Sequence, residues 1–206
     1  MAVFLPVFLL AVITSVLITF ILPEYYASTA RVKIMKPEAV DSAATTNFVS
    51  DPYFIQTELE VLQSQAILNP AIERLNLNLV WGHRFGGNTK LTTDECRQIL
   101  DRMLELHVMP KTQLIEICVF DQDRDEAANL ANAIAASYSD YHLRQLKHPP
   151  DVTDVPPVTI IDQAEPGQRP VRPNKPLNIG LGVLCGILLG GIAGSFTSWL
   201  AGRSRR

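Results

Sequence analysis

The chain has 206 residues, of which 47% are hydrophobic, with 18 Lys/Arg against 21 Asp/Glu and a formal net charge of −3. All the acidic residues and all but three of the basic ones fall between Pro23 and Pro176. That acidic balance argues against a nucleic-acid partner, which needs clustered Lys/Arg to neutralise phosphates. The two uncharged stretches at either side argue against a wholly water-soluble chain.

Residues 1–22 form the first of these stretches and reach the roughly 20 apolar residues that a helix needs to cross a bilayer core. The competing reading is a cleaved signal peptide, with Ser28-Thr29-Ala30 as a small-residue cleavage site. Against it, the segment lacks a Lys/Arg start and has a long apolar core, and cleavage there would release the beginning of a strand. Residues 23–165 are long enough for one domain with a modest core and too short for two.

Within that domain, "YASTARVKIM" (residues 26–35) alternates Val32 and Ile34 with Arg31 and Lys33, the pattern of a half-buried strand. Residues 36–50 have no period and read as a loop. Asp51-Pro52 predicts a helix start, because a carboxylate can cap a free N–H and proline at the first helical position has no donor to leave unmet. The helix that follows places Ile55, Leu59, Leu62 and Ala66 on one side, and Asn69-Pro70 predicts its break and the opening of a second helix ending near Asn78. "VWGHRFGGNTK" contains three glycines and reads as an exposed loop.

Thr92-x-x-Glu95 is a capping-box pattern, in which each side chain satisfies an orphan N–H of the other's backbone. It predicts a helix over 93–106 with Cys96, Ile99, Leu100 and Met103 inward. Strand-like runs follow at 107–109 and 114–120. Asp123 or Asp125 then caps the longest soluble helix, whose Ala127, Leu130, Ala131, Ile134 and Tyr138 fall at helical spacing, and whose alanines imply close packing against a sheet. Residues 158–162 make a last strand. The expected fold class is α+β, a small mixed sheet with packed helices between two transmembrane helices, and a pairing between the first and last strands.

The Pro-rich segment 166–176 leads to the second uncharged stretch, 177–201, and a basic tail at 202–206. Pro166, Pro170, Pro173 and Pro176 favour an extended polyproline path, either a stiff spacer or a recognition segment, with Arg169, Arg172 and Lys175 interleaved at headgroup level. In the second span Gly182, Gly186, Gly190 and Gly194 recur every four residues, a flat face on which another helix backbone can approach: the first span, a neighbouring subunit or a partner. Arg203, Arg205 and Arg206 place the C-terminus in the cytoplasm by the positive-inside rule, and two spans return the N-terminus to the same side.

Three stretches together resemble the Wzz-type chain-length determinant family, the polysaccharide co-polymerases. They are residues 26–34; "FIQTELEVLQSQAILNPAIERLNL" with "TQLIEICVFDQDRDEAANLANAIAASY"; and "IIDQAEPGQRPVRPNKPLNIGLG". The resemblance implies a bacterial inner-membrane protein with both ends cytoplasmic. It also implies a periplasmic base that assembles as a homo-oligomer and governs polymer length with polymerase or export proteins. The chain departs from members that carry a long helical hairpin, which would be inserted near 146–157, and from members that continue into a tyrosine kinase. A separate kinase is the corresponding partner.

Trp81, Arg84 and Phe85, with His83 on the same loop, are candidate glycan or partner contacts. Asp121, Asp123 and Asp125 alternate like the start of an EF-hand but lack its later glycine and glutamate, so helix capping is the preferred reading. Cys96 and Cys118 read as two buried free thiols in preference to a disulfide between them, which an oxidising compartment would allow. No nucleotide, hydrolase or zinc motif is present, and no catalytic residue, metal or cofactor is expected. The rival to a non-enzymatic scaffold is a two-span periplasmic sensor or adaptor working with a separate cytoplasmic kinase.

Overall fold

The computed structural model describes residues 4–35, 52–87, 89–110, 112–145 and 158–203. Contacts divide the chain into two units, residues 26–169 and the pair of terminal segments 1–25 with 170–206. The expected loop at 36–50, together with Arg205 and Arg206, lies outside the described residues.

The first unit is built on a four-stranded sheet in the order β2-β3-β1-β4, with β1 at Tyr26–Ile34, β2 at Leu104–Val108, β3 at Leu114–Asp121 and β4 at Val158–Asp162. Ala30, Val32 and Ile34 of β1 point to the same face as Ile117 and Ile115 of β3 and Val158 of β4, and all are buried. Leu104 and Leu106 of β2 continue that face. The opposite face carries Arg31, whose guanidinium meets Glu116 at 2.9 Å and Asp162 at 3.4 Å. These are solvent-exposed pairs of small energetic weight.

The sheet is antiparallel throughout, which corrects the expected mixed sheet. β3 and β4 do run in the same direction, as strands joined through a helix do, but β1 lies between them, so no two parallel strands are neighbours. The expected pairing of the first and last strands is present, from Arg31 with Asp162 to Ile34 with Val158.

Helix α6 (Arg124–Gln145) covers β1, β3 and β4. Its buried Ala127, Ala128, Ala131, Ala133 and Ala135 keep the helix axis close to the sheet. Asp123 is its cap: Oδ1 accepts from the N–H groups of Asp125 (2.9 Å) and Glu126 (3.3 Å). Helix α5 (Thr93–Met103) starts with a complete capping box, as the spacing predicts. It stops at Met103 rather than at residue 106, because Leu104, Leu106 and Val108 alternate with polar residues and pair with β3.

Helix α2 spans Pro52–Leu62 and α3 spans Gln65–Arg74. The break between them lies at Ser64, not at Asn69-Pro70, which corrects the sequence expectation. Ser64 is extended (φ −73°, ψ 159°), and its carbonyl accepts from Ile67 and Leu68 at 3.1 and 3.0 Å. Pro70 sits inside α3, where burial of Ile67, Leu68, Ala71 and Ile72 holds the turn that proline alone would weaken. Ala66, expected inward, is exposed as a result.

The expected loop around Trp81 is also corrected: Leu77–Arg84 is helix α4. Asn76 turns the chain in the left-handed conformation (φ 51°), and Asn78 bonds Leu91 through both its backbone carbonyl and its side chain. Gly82 marks close approach rather than flexibility. A Cβ there would lie 2.5 Å from the Thr89 carbonyl oxygen.

A buried polar cluster joins α2 to α6. Glu58 is 7% exposed and its Oε2 accepts from the Tyr138 hydroxyl at 2.6 Å, with His142 Nε2 at 3.1 Å. Burial works against ionisation of Glu58, but the bonds from His142 and Tyr138 outweigh it and hold the carboxyl below its ordinary value. Burial, and then the Glu58 carboxylate, push the Tyr138 hydroxyl upward.

The second unit is helix α1 (Phe4–Ile21) packed against helix α7 (Lys175–Arg203). Both are long and apolar enough to cross a membrane. Leu10 is 70% exposed and Ile192 68%, so each helix presents hydrocarbon outward as well as to its partner. Such surface suits a bilayer and not water.

A carboxyl whose folded pKa lies below its unfolded value stabilises the fold above the unfolded value and loses that contribution as pH falls through the folded one. Thermal melts taken from neutral pH down through the carboxylate range therefore show the wild type losing stability on acidification. Glu58→Gln is expected to remove part of that slope, and an unchanged slope would show that Glu58 is not held below its ordinary value.

Candidate functional site

The chemistry-bearing side chains gather in two places, one in each unit. In the α+β domain the centre is Arg84, at the end of α4. Its Nη2 lies 2.9 Å from Asp121 Oδ1 and its Nη1 3.3 Å from Asp121 Oδ2. The same Nη1 reaches Glu126 Oε2 at 2.8 Å. Asp121, the last residue of β3, is 0% exposed and also accepts from the Asp123 N–H at 2.8 Å.

Trp81, one turn before Arg84, is 0% exposed and its indole N–H donates to Glu126 Oε1 at 2.5 Å. Its expected role as an exposed contact is corrected: α4 turns the ring into the core. Phe85 remains 51% exposed, edge-on to Trp81, with the Arg84 guanidinium 5.0 Å from its ring centre. Burial tends to lower the basicity of Arg84. The bond to Asp121 and the charges of Asp121, Glu126 and Asp123 more than reverse that, so the cation is held above its ordinary value. A guanidinium committed to two carboxylates is a structural brace, with Tyr26, Gln122, Asp123, Arg124 and Asp125 around a shallow polar depression beside it.

In the membrane pair, the glycine face of α7 is turned toward α1. A Cβ on Gly182 would overlap the Ser15 side chain; one on Gly186 would lie 3.0 Å from Phe8 Cδ2, and one on Gly190 2.8 Å from Phe4 Cδ2. Gly194 is looser, with Phe4 Cβ at 3.8 Å. Three of the four stripe glycines thus admit the first span of the same chain. One polar bond fastens an end of the seam: Ser15 Oγ donates to the Asn178 carbonyl at 2.9 Å, while the Thr19 hydroxyl is turned back onto its own helix, to the Ser15 carbonyl at 2.7 Å.

Residues 1–75 match the family model of Wzz, the chain length determinant protein. The match takes in α1, β1, α2 and α3, and supports the Wzz-type assignment. No curated protein matches the chain. Of the two clusters, the Wzz-matched segment holds the α1 side of the glycine seam, while Arg84, Asp121, Glu126 and the glycines themselves lie beyond it.

The Pro-rich segment is less free than a polyproline spacer. Tyr25 donates its N–H to the Arg172 carbonyl at 2.9 Å and accepts from Val171 at 2.8 Å, a short antiparallel bridge between the ends of the two membrane helices. Pro170 and Pro173 flank that bridge, Pro166 lies in the irregular stretch after β4, and Pro176 is already the second residue of α7. Asn174 Oδ1 accepts from the Leu177 N–H at 3.2 Å, and Lys175 pairs with Glu24 at 2.7 Å. Arg203 is the last helical residue. Among the described residues there is no group of His, Cys, Asp or Glu that could hold a metal ion, and none of the three cysteines is in a disulfide.

Sequence reasoning missed the partners of Arg84. The strand parity that buries Ile115, Ile117 and Val119 extends to Asp121, and that signal was available. It missed Asn132 as well, whose carboxamide grips Ala164 through both backbone groups, at 3.0 and 2.7 Å, and guides the chain out of β4. Nothing in the local pattern of α6 marks that contact.

Removing Arg84 leaves Asp121 as an uncompensated buried charge. Arg84→Met is expected to destabilise the domain by about 3–5 kcal/mol, measured by denaturant unfolding, and adding Asp121→Asn should recover much of the loss. For the seam, a Cβ on Gly186 would lie 3.4 Å from that of Ala11, near the roughly 3.5–4.5 Å of a disulfide. In a Cys185→Ser background, Ala11→Cys with Gly186→Cys should oxidise within one chain. A cross-linked dimer instead would assign this glycine face to a neighbouring subunit.

Proposed function

We propose that this chain is a non-enzymatic polysaccharide co-polymerase-like protein of the bacterial inner membrane. In this reading it self-associates and scaffolds or regulates chain length during synthesis and export of an exopolysaccharide, O-antigen or capsule. The carrying observation is the Wzz match over the first membrane helix and the strand that follows it. Two candidate membrane helices and the family together suggest the inner membrane. At family level the match points to chain-length determination and to work alongside polymerase or export machinery.

The finer points extend that reading. The arginines at 203, 205 and 206 favour a cytoplasmic C-terminus and, through two spans, a periplasmic α+β domain. A protein acting by position rather than by reaction needs rigid surfaces more than a reactive cleft. The braced Arg84 cluster and the internally closed glycine seam fit that requirement. Polymer handling then falls to the polymerase or export proteins.

The test is deletion of the coding region with complementation, reading the size distribution of surface and released polysaccharide on gels. Loss or shift of the modal length in the deletion, restored by the wild-type chain, is the expected outcome. A distribution that deletion leaves unchanged would reject the reading.

A further inference from the structure

The glycine seam leaves open a groove of about 510 Å³ along one side of the α1/α7 pair. Its length is lined by Val7, Leu10, Leu181 and Leu189, while Ser15, Thr19 and Asn178 lie at the end where α1 finishes and α7 begins. From Asn178 to Leu189 the helix rises roughly 16 Å at 1.5 Å per residue. One leaflet of a bilayer core about 30 Å thick accounts for about 15 Å. The groove is therefore as long as one leaflet is deep, polar at one end and apolar along the rest apart from Thr14, whose hydroxyl is bonded to the Leu10 carbonyl.

We propose that this groove is a binding site for one acyl chain of a phospholipid, with the headgroup at the Asn178 end. The polarity of the groove matches that of an amphiphile. The Ser15 and Thr19 hydroxyls are spent on backbone carbonyls, whereas the carboxamide N–H groups of Asn178 donate to no described residue. Asn178 stands in the first turn of α7, at the level where a lipid presents ester and phosphate oxygens, close in sequence to the Lys175–Glu24 ion pair.

A third helix fits the groove less well than a hydrocarbon chain does. Helices associate in membranes through small residues that let backbones approach, and Gly186 and Gly190 are already filled by α1. Of the small residues that line the groove itself, Gly182 is already met by Ser15 and only Ala11 adds to it, while Leu10, Ile18, Leu181 and Leu189 would hold another backbone away. A thin, flexible chain can follow those side chains.

Cys185 and Thr14 line opposite walls, on α7 and α1. The experiment is native mass spectrometry of the full chain released from its own membrane, comparing wild type, Cys185→Phe, Thr14→Phe and Leu184→Phe. Leu184 is exposed and outside the groove. Expected is a phospholipid adduct that survives gentle activation in the wild type and Leu184→Phe and is lost in both groove variants. The Ala11–Gly186 cross-link made in those variants shows whether the helix pair itself survived the added ring. Equal retention in all four overturns the proposal, as does a wild type that retains no phospholipid. It is equally overturned if the groove variants change the subunit number while the lipid stays, which would assign the groove to a helix of a second copy.

Discussion

Both units of this chain depend on the same constraint: two backbone surfaces come close only where the side chains between them are small. In the α+β domain, alanines of α6 bring the helix down onto β1, β3 and β4. In the membrane pair, Gly182, Gly186 and Gly190 bring α7 onto α1. The driving forces differ. In water the approach is rewarded by burial of Ala30, Val32, Ile34, Ile115 and Ile117. In hydrocarbon that reward is absent, and dispersion at short range with a few buried hydrogen bonds must hold the pair. That is why the membrane contact carries the Ser15 hydroxyl bonded to the Asn178 carbonyl, while the sheet contact is almost wholly apolar.

Two buried carboxylates show how the domain fixes the position of its peripheral helices. Asp121 holds α4 through Arg84, and Glu58 holds α2 to α6 through Tyr138 and His142. Each carboxylate sits where burial alone would disfavour its charge, and each is compensated by more than one donor. Such pairs add little net stability over apolar packing, but their directional bonds allow few alternative seatings. Short helices such as α2 and α4, with limited apolar surface, are thereby held in one place on the sheet and α6. For a protein read as a scaffold, definite placement of surface helices matters more than a deep cleft.

The Wzz match lies on residues 1–75, yet the elements it covers are completed by later ones. β1 is an inner strand between β3 and β4, and α1 packs on α7. The matched segment therefore does not bury its own apolar faces, and its structure requires the C-terminal half of the chain. This arrangement also brings the two ends of the sequence together, at the β1–β4 pairing in the domain and at the Tyr25–Arg172 bridge in the membrane unit.

Much of this was legible from local pattern. The two apolar helices, the alternation of β1, the Thr92–Glu95 capping box, the Asp123 cap, the alanine face of α6 and the glycine stripe each follow from residues within a turn or two of one another. Local sterics and hydrogen bonding suffice to specify such features. Contacts between distant segments were not legible. Pro70 and the glycines near Trp81 carry the local signature of a break and a loop. Burial of Ile67, Leu68 and Trp81, and the close approach of Thr89 to Gly82, turned both into helix. Likewise, a repeat of glycines declares a packing face but not its occupant, and a strand's neighbours depend on which other strands complete its hydrogen bonds and bury its apolar side. The sequence by itself determined the elements and which face of each is apolar. Only the tertiary structure decided what those faces meet, because burial and backbone approach are properties of pairs of segments far apart in the chain.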